Sequence, residues 1–80
     1  MNIVEFTEYL VKQLATLPDS VSVKEFEEED FKIIQILVSE DDISRIIGKE
    51  GNNINAIRTL VQSAAYLNND KKIKINIDSY

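Results

Sequence analysis

The chain has no cysteine and no histidine in its 80 residues. The first absence excludes disulfides and thiolate metal sites. The second removes the commonest general base and the commonest metal ligand. No apolar run approaches the roughly 18 residues of a membrane span. The N-terminal stretch MNIVEFTEYL carries acid early and lacks a positive segment, so no secretory leader is expected. The cytoplasm is the expected location, and no metal or cofactor is expected. What remains is an apolar content of 44% and a charged content of 29%, the proportions of a globular domain. The length suits one domain, residues 1–80, near the lower limit for folding without staples.

Glycine is scarce as well. There are two, Gly48 and Gly51, and they bracket Lys49 and Glu50 in the stretch Ile46-Ile47-Gly48-Lys49-Glu50-Gly51-Asn52-Asn53-Ile54. The net charge of −5, taken alone, argues against a nucleic-acid partner. Its distribution argues differently. Residues 1–43 hold three lysines against eleven carboxylates, whereas residues 44–80 hold six cations against three. The glycine pair lies in the positive half.

The periodicity predicts the elements in order. Asn2 can cap a first helix whose face is Ile3, Phe6, Leu10, Leu14 and Leu17, stopped by Pro18. Val21-Ser22-Val23 begins a strand that runs into the acidic turn Glu27-Glu28-Glu29-Asp30. Phe31 to Val38 is rich in β-branched residues and apolar on both faces, so it should lie centrally in a sheet. Ser39 and Asp42 have the spacing of a capping box for a short helix that buries Ile43, Ile46 and Ile47 and ends at Gly48. A longer helix follows Gly51, capped by Asn52 or Asn53. Ile54, Ile57, Val61, Ala64 and Ala65 form its buried side, widened by Ala56, Leu60 and Leu67. Ile73, Ile75 and Ile77 then alternate with polar residues, as in a strand wetted on one face. The order helix-strand-strand-helix-helix-strand predicts a two-layer α+β fold with helices on one face of a three-stranded sheet.

Two helices thus meet end to end at Gly48-Lys49-Glu50-Gly51. Glycine opens backbone angles closed to other residues and lets another backbone approach. The second helix points its N-terminal N–H groups into the same gap, and Lys49 adds a positive charge. A tight loop poor in side chains beside a helix N-terminus suits a phosphodiester backbone, and single-stranded RNA is held this way by GxxG loops. A glycine pair at this spacing is by itself a weak signal. Its weight comes from the isoleucine-rich helical segments on either side and from the strand-helix-helix-strand order.

On these residues, continued by Ala56-Ile57-Arg58-Thr59-Leu60-Val61 and Ala64-Ala65, the chain resembles the KhpA family of small bacterial KH-domain RNA-binding proteins. The resemblance covers essentially the whole chain, and the helix-first order is similar to a type II KH domain with a mixed sheet. It implies a cytoplasmic, non-enzymatic protein that binds single-stranded RNA as an RNA chaperone or post-transcriptional regulator. It also implies dimerisation, with itself or with the larger KH-containing protein KhpB. The RNA-contacting set it implies is Ile47, Gly48, Lys49, Glu50, Gly51, Asn52, Asn53, Ile54 and Arg58. Two features depart from the family pattern. Asn52 and Asn53 stand where relatives often carry basic residues, and Glu50 puts a negative charge in the loop. Both weaken the expected pull on phosphate.

Simpler roles compete at several positions. Gly48 and Gly51 can serve as a helix end and a turn, Ile47 and Ile54 as core, and Arg58 as a solvated helix residue. Lys71, Lys72 and Lys74 read more readily as protection of a strand edge than as an RNA stripe. The cluster Glu27-Glu28-Glu29-Asp30 lacks the spacing of a calcium loop and reads as a solvated turn. Tyr9, Tyr66 and Tyr80 are not interleaved with basic residues as a stacking platform. The rival function is a protein-interaction or dimerisation module with weak or no independent RNA binding, favoured by the broad apolar side of the helix over residues 54–67. No nucleophile–base pair that would mark an enzyme is visible.

Overall fold

Asn2 does cap the first helix. In the computed structural model, which describes residues 2–80, its side-chain oxygen accepts from the Glu5 N–H at 3.0 Å. The helix α1 (Ile3–Leu14) buries Ile3, Thr7 and Val11. This stripe is rotated from the predicted one, with Phe6, Leu10 and Leu14 half-buried beside it. Thr7 is tolerated in a dry position because its hydroxyl donates to Ile3 O at 2.8 Å.

Leu17, predicted on the same helical face, lies beyond the helix and is exposed. The helix has already turned out at Ala15, whose backbone is extended, while Pro18 merely opens a short 3-10 turn, Pro18–Ser20. The stop is set by Asp42. Its buried carboxylate accepts from the Thr16 N–H at 3.0 Å, the Thr16 hydroxyl at 2.7 Å and the Leu17 N–H at 3.0 Å. These are N–H groups that a continuing helix would have turned inward. The predicted capping box is corrected accordingly. Ser39 stands at the N-cap of the 3-10 turn Glu40–Asp42 but makes no side-chain capping bond, and Asp42 reaches across to the end of α1 instead.

The strands β1 (Ser22–Glu27) and β2 (Phe31–Val38) form an antiparallel hairpin, and β3 (Lys72–Ser79) pairs with β2 in parallel. The sheet is therefore mixed, in the order β1-β2-β3, with β2 central as its two apolar faces predict. Ile34, Ile36 and Val38 of β2 are fully buried, flanked by Val23 of β1 and Ile73 of β3. The crossover from β2 to β3 consists of α2 (Ile43–Ile47) and α3 (Asn52–Leu67). The core side of α3 is Ile54, Ile57, Val61, Ala64 and Ala65, as predicted. Ala56, Leu60 and Leu67 are exposed, because the sheet covers a narrower arc of the helix than its apolar side offers. At the far end Lys32 Nζ lies 2.7 Å from Asp70, 3.0 Å from Glu25 and 3.9 Å from Glu27, tying the entry to β3 onto the hairpin.

Hydrogen bonds from the Thr16 hydroxyl, and then from the Thr16 and Leu17 N–H groups, lower the Asp42 pKa from 3.8 to about 2. A pKa depressed by folding contributes stability that is fully present above the unfolded value and is lost as pH falls through the folded one. Asp70, lowered by its bond from Lys32, acts in the same direction. Stability should therefore fall between about pH 4 and pH 2. Asp42→Asn has one acceptor oxygen for three donors, so Tm at pH 7 should drop by on the order of 10 °C. Its acid limb should also become shallower. Thermal melts of both proteins from pH 2 to 7 check this, and parallel acid limbs would remove Asp42 as a cause of the acid loss.

Candidate nucleic-acid interface

Two constraints make position 48 a glycine. Its backbone (φ 78, ψ 172) lies in a region essentially closed to residues with a side chain. A Cβ there would also stand 2.7 Å from Asn53 Cγ and 2.9 Å from Asn53 Cβ. Asn53 occupies that space because its Nδ2 donates back to Arg45 O at 2.9 Å. The first turn of α3 thus clasps the last turn of α2 across the gap between them. Neither Asn52 nor Asn53 caps α3, contrary to the expectation. Gly51 takes the N-cap position in the left-handed region (φ 77, ψ 13), and no side chain caps the helix. Asn52 is already helical.

Gly48 O accepts from the Gly51 N–H at 3.1 Å and closes the turn. Glu50 is left-handed too (φ 56, ψ 24), which the sequence pattern did not foretell. Gly48, Glu50 and Gly51 therefore all have positive φ, and the side chains of Lys49 and Glu50 are both exposed. The gap beside them receives the N-terminus of a 16-residue helix, with its partial positive charge and without a side-chain cap to satisfy its N–H groups. Ile54 is buried and Ile47 half-buried at the two shoulders of the turn.

Arg58 does not reach the loop. Its Nη1 donates to Asn55 Oδ1 at 2.6 Å, and its side chain borders an open groove of about 340 Å³ between α3 and the start of β3. Gln62, Tyr66 and Lys72 also line this groove. The Gln62 Oε1 accepts from the Ile73 N–H at 2.9 Å, which fixes the amide, and its Nε2 is buried without a protein partner. Sequence reasoning missed the groove because α3 and β3 contribute separately to it. An (i, i+4) stripe of Arg58, Gln62 and Tyr66 was the available signal.

The arrangement can hold an anion against backbone N–H groups and one lysine, with apolar shoulders on either side. A mixed sheet in this helix-first order, with two helices joined at a glycine-bracketed turn, defines a KH-type domain of the type II order. The KH-domain model of the KhpA/KhpB family matches residues 4–77. The chain belongs to that family. It is 43% identical to the RNA-binding protein KhpA of Chlamydia caviae over 67 residues, which is 84% of this chain and 86% of that one. It is 38% identical to the KhpA of Clostridium perfringens over 73 residues, 91% of this chain and 96% of the relative. It is 33% identical to that of Thermotoga maritima, again over 73 residues, 91% of this chain and 95% of the relative. Among solved structures, a point variant of Aquifex aeolicus Era bound to GDP·AlF4− superposes with a TM-score of 0.72 at 20% identity. Era in complex with MgGDPNP and nucleotides 1506–1542 of 16S ribosomal RNA gives 0.71, also at 20% identity. Each superposition covers 96% of this chain and 29% of the Era chain, and at this identity the likeness is one of fold.

The two glycines should respond differently to substitution. At Gly51 a Cβ would meet nothing nearer than 3.7 Å, so Gly51→Ala should cost only the left-handed backbone, about 1–2 kcal/mol. Gly48→Ala must adopt a backbone region closed even to most left-handed residues and also meets Asn53, so it should cost more. Chemical denaturation of the two variants measures the difference, and equal losses would show that neither the backbone at Gly48 nor Asn53 constrains that position beyond an ordinary left-handed turn.

Proposed function

We propose that residues 1–80 act as one KH domain that binds single-stranded RNA through Gly48-Lys49-Glu50-Gly51, in the cytoplasm, as a chaperone or post-transcriptional regulator of RNA rather than as an enzyme. The observation that carries this reading is the uncapped N-terminus of α3 opening onto a turn with an exposed lysine and no side chain at either glycine. The names of the KhpA relatives support it. On this reading the turn and the first turn of α3 at Asn52 and Asn53 meet phosphate, although the Gly51 and Asn52 N–H groups already donate to Gly48 O and Lys49 O; Ile47 and Ile54 contact the bases, and Arg58 meets the strand further along α3. The Asn53 amide group is engaged with Arg45 O, so that residue serves mainly by shaping the turn.

Replacing Lys49 and Glu50 together by aspartate should abolish RNA binding while keeping the fold, since both side chains are exposed and aspartate tolerates the left-handed backbone at position 50 at least as well as glutamate. Glu50→Lys should strengthen it. Each charge change in a wet loop is worth roughly 0.5–1 kcal/mol at low salt, which together predict on the order of a tenfold gain that shrinks as salt rises. The gain should be similar for unrelated sequences, because phosphate contacts carry no sequence information. Titrations with several single-stranded RNAs at two salt concentrations test all of this. Equal affinity for the wild type and the aspartate variant would defeat the reading.

A second reading is assembly, with another copy or with KhpB, with RNA binding weak or absent in the isolated chain. Leu60 is 49% exposed and Leu67 84% exposed on the outer side of α3. Leu60 and Ala56 also line an open apolar groove of about 290 Å³ with Leu10 and Leu14 of α1. A dimer through this surface should persist at high salt, where RNA binding fades. Leu60→Glu should disperse it in sedimentation. A wild-type chain that stays monomeric at high concentration and recovers no protein partner from lysate would end the assembly reading.

A further inference from the structure

The placement of the cations points to a second surface. Of nine, Lys12, Lys32, Arg45 and Lys71 stand within 4.0 Å of a carboxylate. Among the described residues no carboxylate comes that close to the other five. Lys49 and Arg58 belong to the loop and to α3. Lys24, Lys72 and Lys74 share the face of the sheet that the helices leave uncovered. The register shows this: Lys24 pairs with Gln35, Phe26 with Ile33, Ile33 with Lys74, and Phe31 with Lys72. All alternate with the buried Ile34 and Ile36 and so point away from the helices.

The same register puts a single carboxylate in the strands on that face, Asp78 opposite Leu37. Ile33 and Leu37 are half-buried there, and Phe26 is 51% exposed. Lys74 Nζ sits 4.0 Å from the centre of the Phe31 ring, so the Phe31 ring is partly covered and Phe26 is the freer one. In a chain of net charge −5, unpaired lysines around an exposed phenylalanine complement a polyanion with flat apolar faces. Single-stranded RNA has that chemistry, since bases stack on aromatic side chains presented by a sheet while cations track the backbone. Lys72 also lines the groove that Arg58 borders, so the cations continue from α3 around the edge of β3 onto the sheet.

We propose that the uncovered sheet face is a second RNA surface: a strand held at the loop continues past Arg58 and Lys72 and stacks a base on Phe26, its phosphates near Lys24 and Lys74. This rests on the loop binding RNA, and it makes the RNA footprint longer than the four nucleotides that a GxxG loop clamps.

The test compares labelled single-stranded RNAs of about four and about twelve nucleotides, of mixed sequence, at two salt concentrations. The longer RNA should bind the wild type more tightly, with a steeper salt dependence. Phe26→Ala should weaken the longer RNA by roughly tenfold and leave the shorter one unchanged. Serine at Lys24, Lys72 and Lys74 together should reduce the slope of log K against log salt for the longer RNA by about two, from about 0.7 per phosphate. Those three side chains are exposed, so this variant keeps the test open should Phe26→Ala fold poorly. Equal binding of both lengths by the wild type would overturn the proposal while leaving the loop reading intact. So would unchanged RNA binding by the sheet variants accompanied by a change in their self-association, which would make the face a protein contact. Failure of the shorter RNA to bind at low salt would remove the loop reading and this proposal with it.

Discussion

The five residues of α2 are too few to hold a helix in water, since a single turn fixes several dihedrals for very few hydrogen bonds. What holds it are side chains at its two ends. Ahead of the first residue, the Asp42 carboxylate is bonded to Thr16 and Leu17 at the end of α1. At the last turn, Arg45 O accepts from Asn53 of α3. Between these pins Ile46 is fully buried. The position of the loop follows. Gly48 can leave α2 only in the direction that Asn53 allows, and α3 can begin only where Gly51 turns the chain back.

The loop's shape and its charge have separate causes. Shape comes from the backbone at Gly48 and Gly51 and from the Asn53 clasp. Charge comes from Lys49 and from the helix N-terminus, opposed by Glu50. In an acidic chain this local balance matters more than the total, because exposed charges more than a Debye length of about 8–10 Å apart are largely screened. Four of the eleven acids of the first half are engaged locally: Glu25 and Glu27 beside Lys32, Glu8 beside Lys12, and Asp42 buried on backbone donors. Among the described residues, the cations without carboxylate partners lie elsewhere: Lys49 in the loop, Arg58 along α3, and Lys24, Lys72 and Lys74 on the sheet face.

Much of this was legible in the sequence where the signal is local. The alternation in β3, the two apolar faces of β2 and the stripe Ile54, Ile57, Val61, Ala64, Ala65 each report burial through a period of two or 3.6 residues, and the structure follows them. The position of the loop was legible because glycine is rare in this chain. What local reading mistook were side chains whose partners are distant or reversed. Ser39 and Asp42 have capping-box spacing, yet Asp42 finds better donors 25 and 26 residues earlier in the chain. Asn53 looked like a helix cap, yet its amide serves the preceding helix rather than its own. The end of α1 was credited to Pro18, although the acceptor that draws the chain out is Asp42. Periodicity carries no information about a polar side chain's partner.

Glu50 joins the two halves of the loop's design. A left-handed backbone costs a residue with a side chain roughly 1–2 kcal/mol. Its carboxylate, attracted by Lys49 and the helix N-terminus, cancels part of the positive potential a bound anion would meet. Strain and lost anion attraction thus fall on one exposed position. Glycine at this position would relieve strain and charge together, whereas lysine would reverse the charge and leave the strain. The two costs are therefore separable in principle, one read in stability and the other in affinity for an anion. The turn keeps its form despite them, because Gly48, Gly51 and Asn53 fix it from either side. A loop held this way can vary its charge without losing its geometry: the backbone fixes its shape and the partial positive charge of the helix N-terminus, and the exposed Lys49 and Glu50 set the rest.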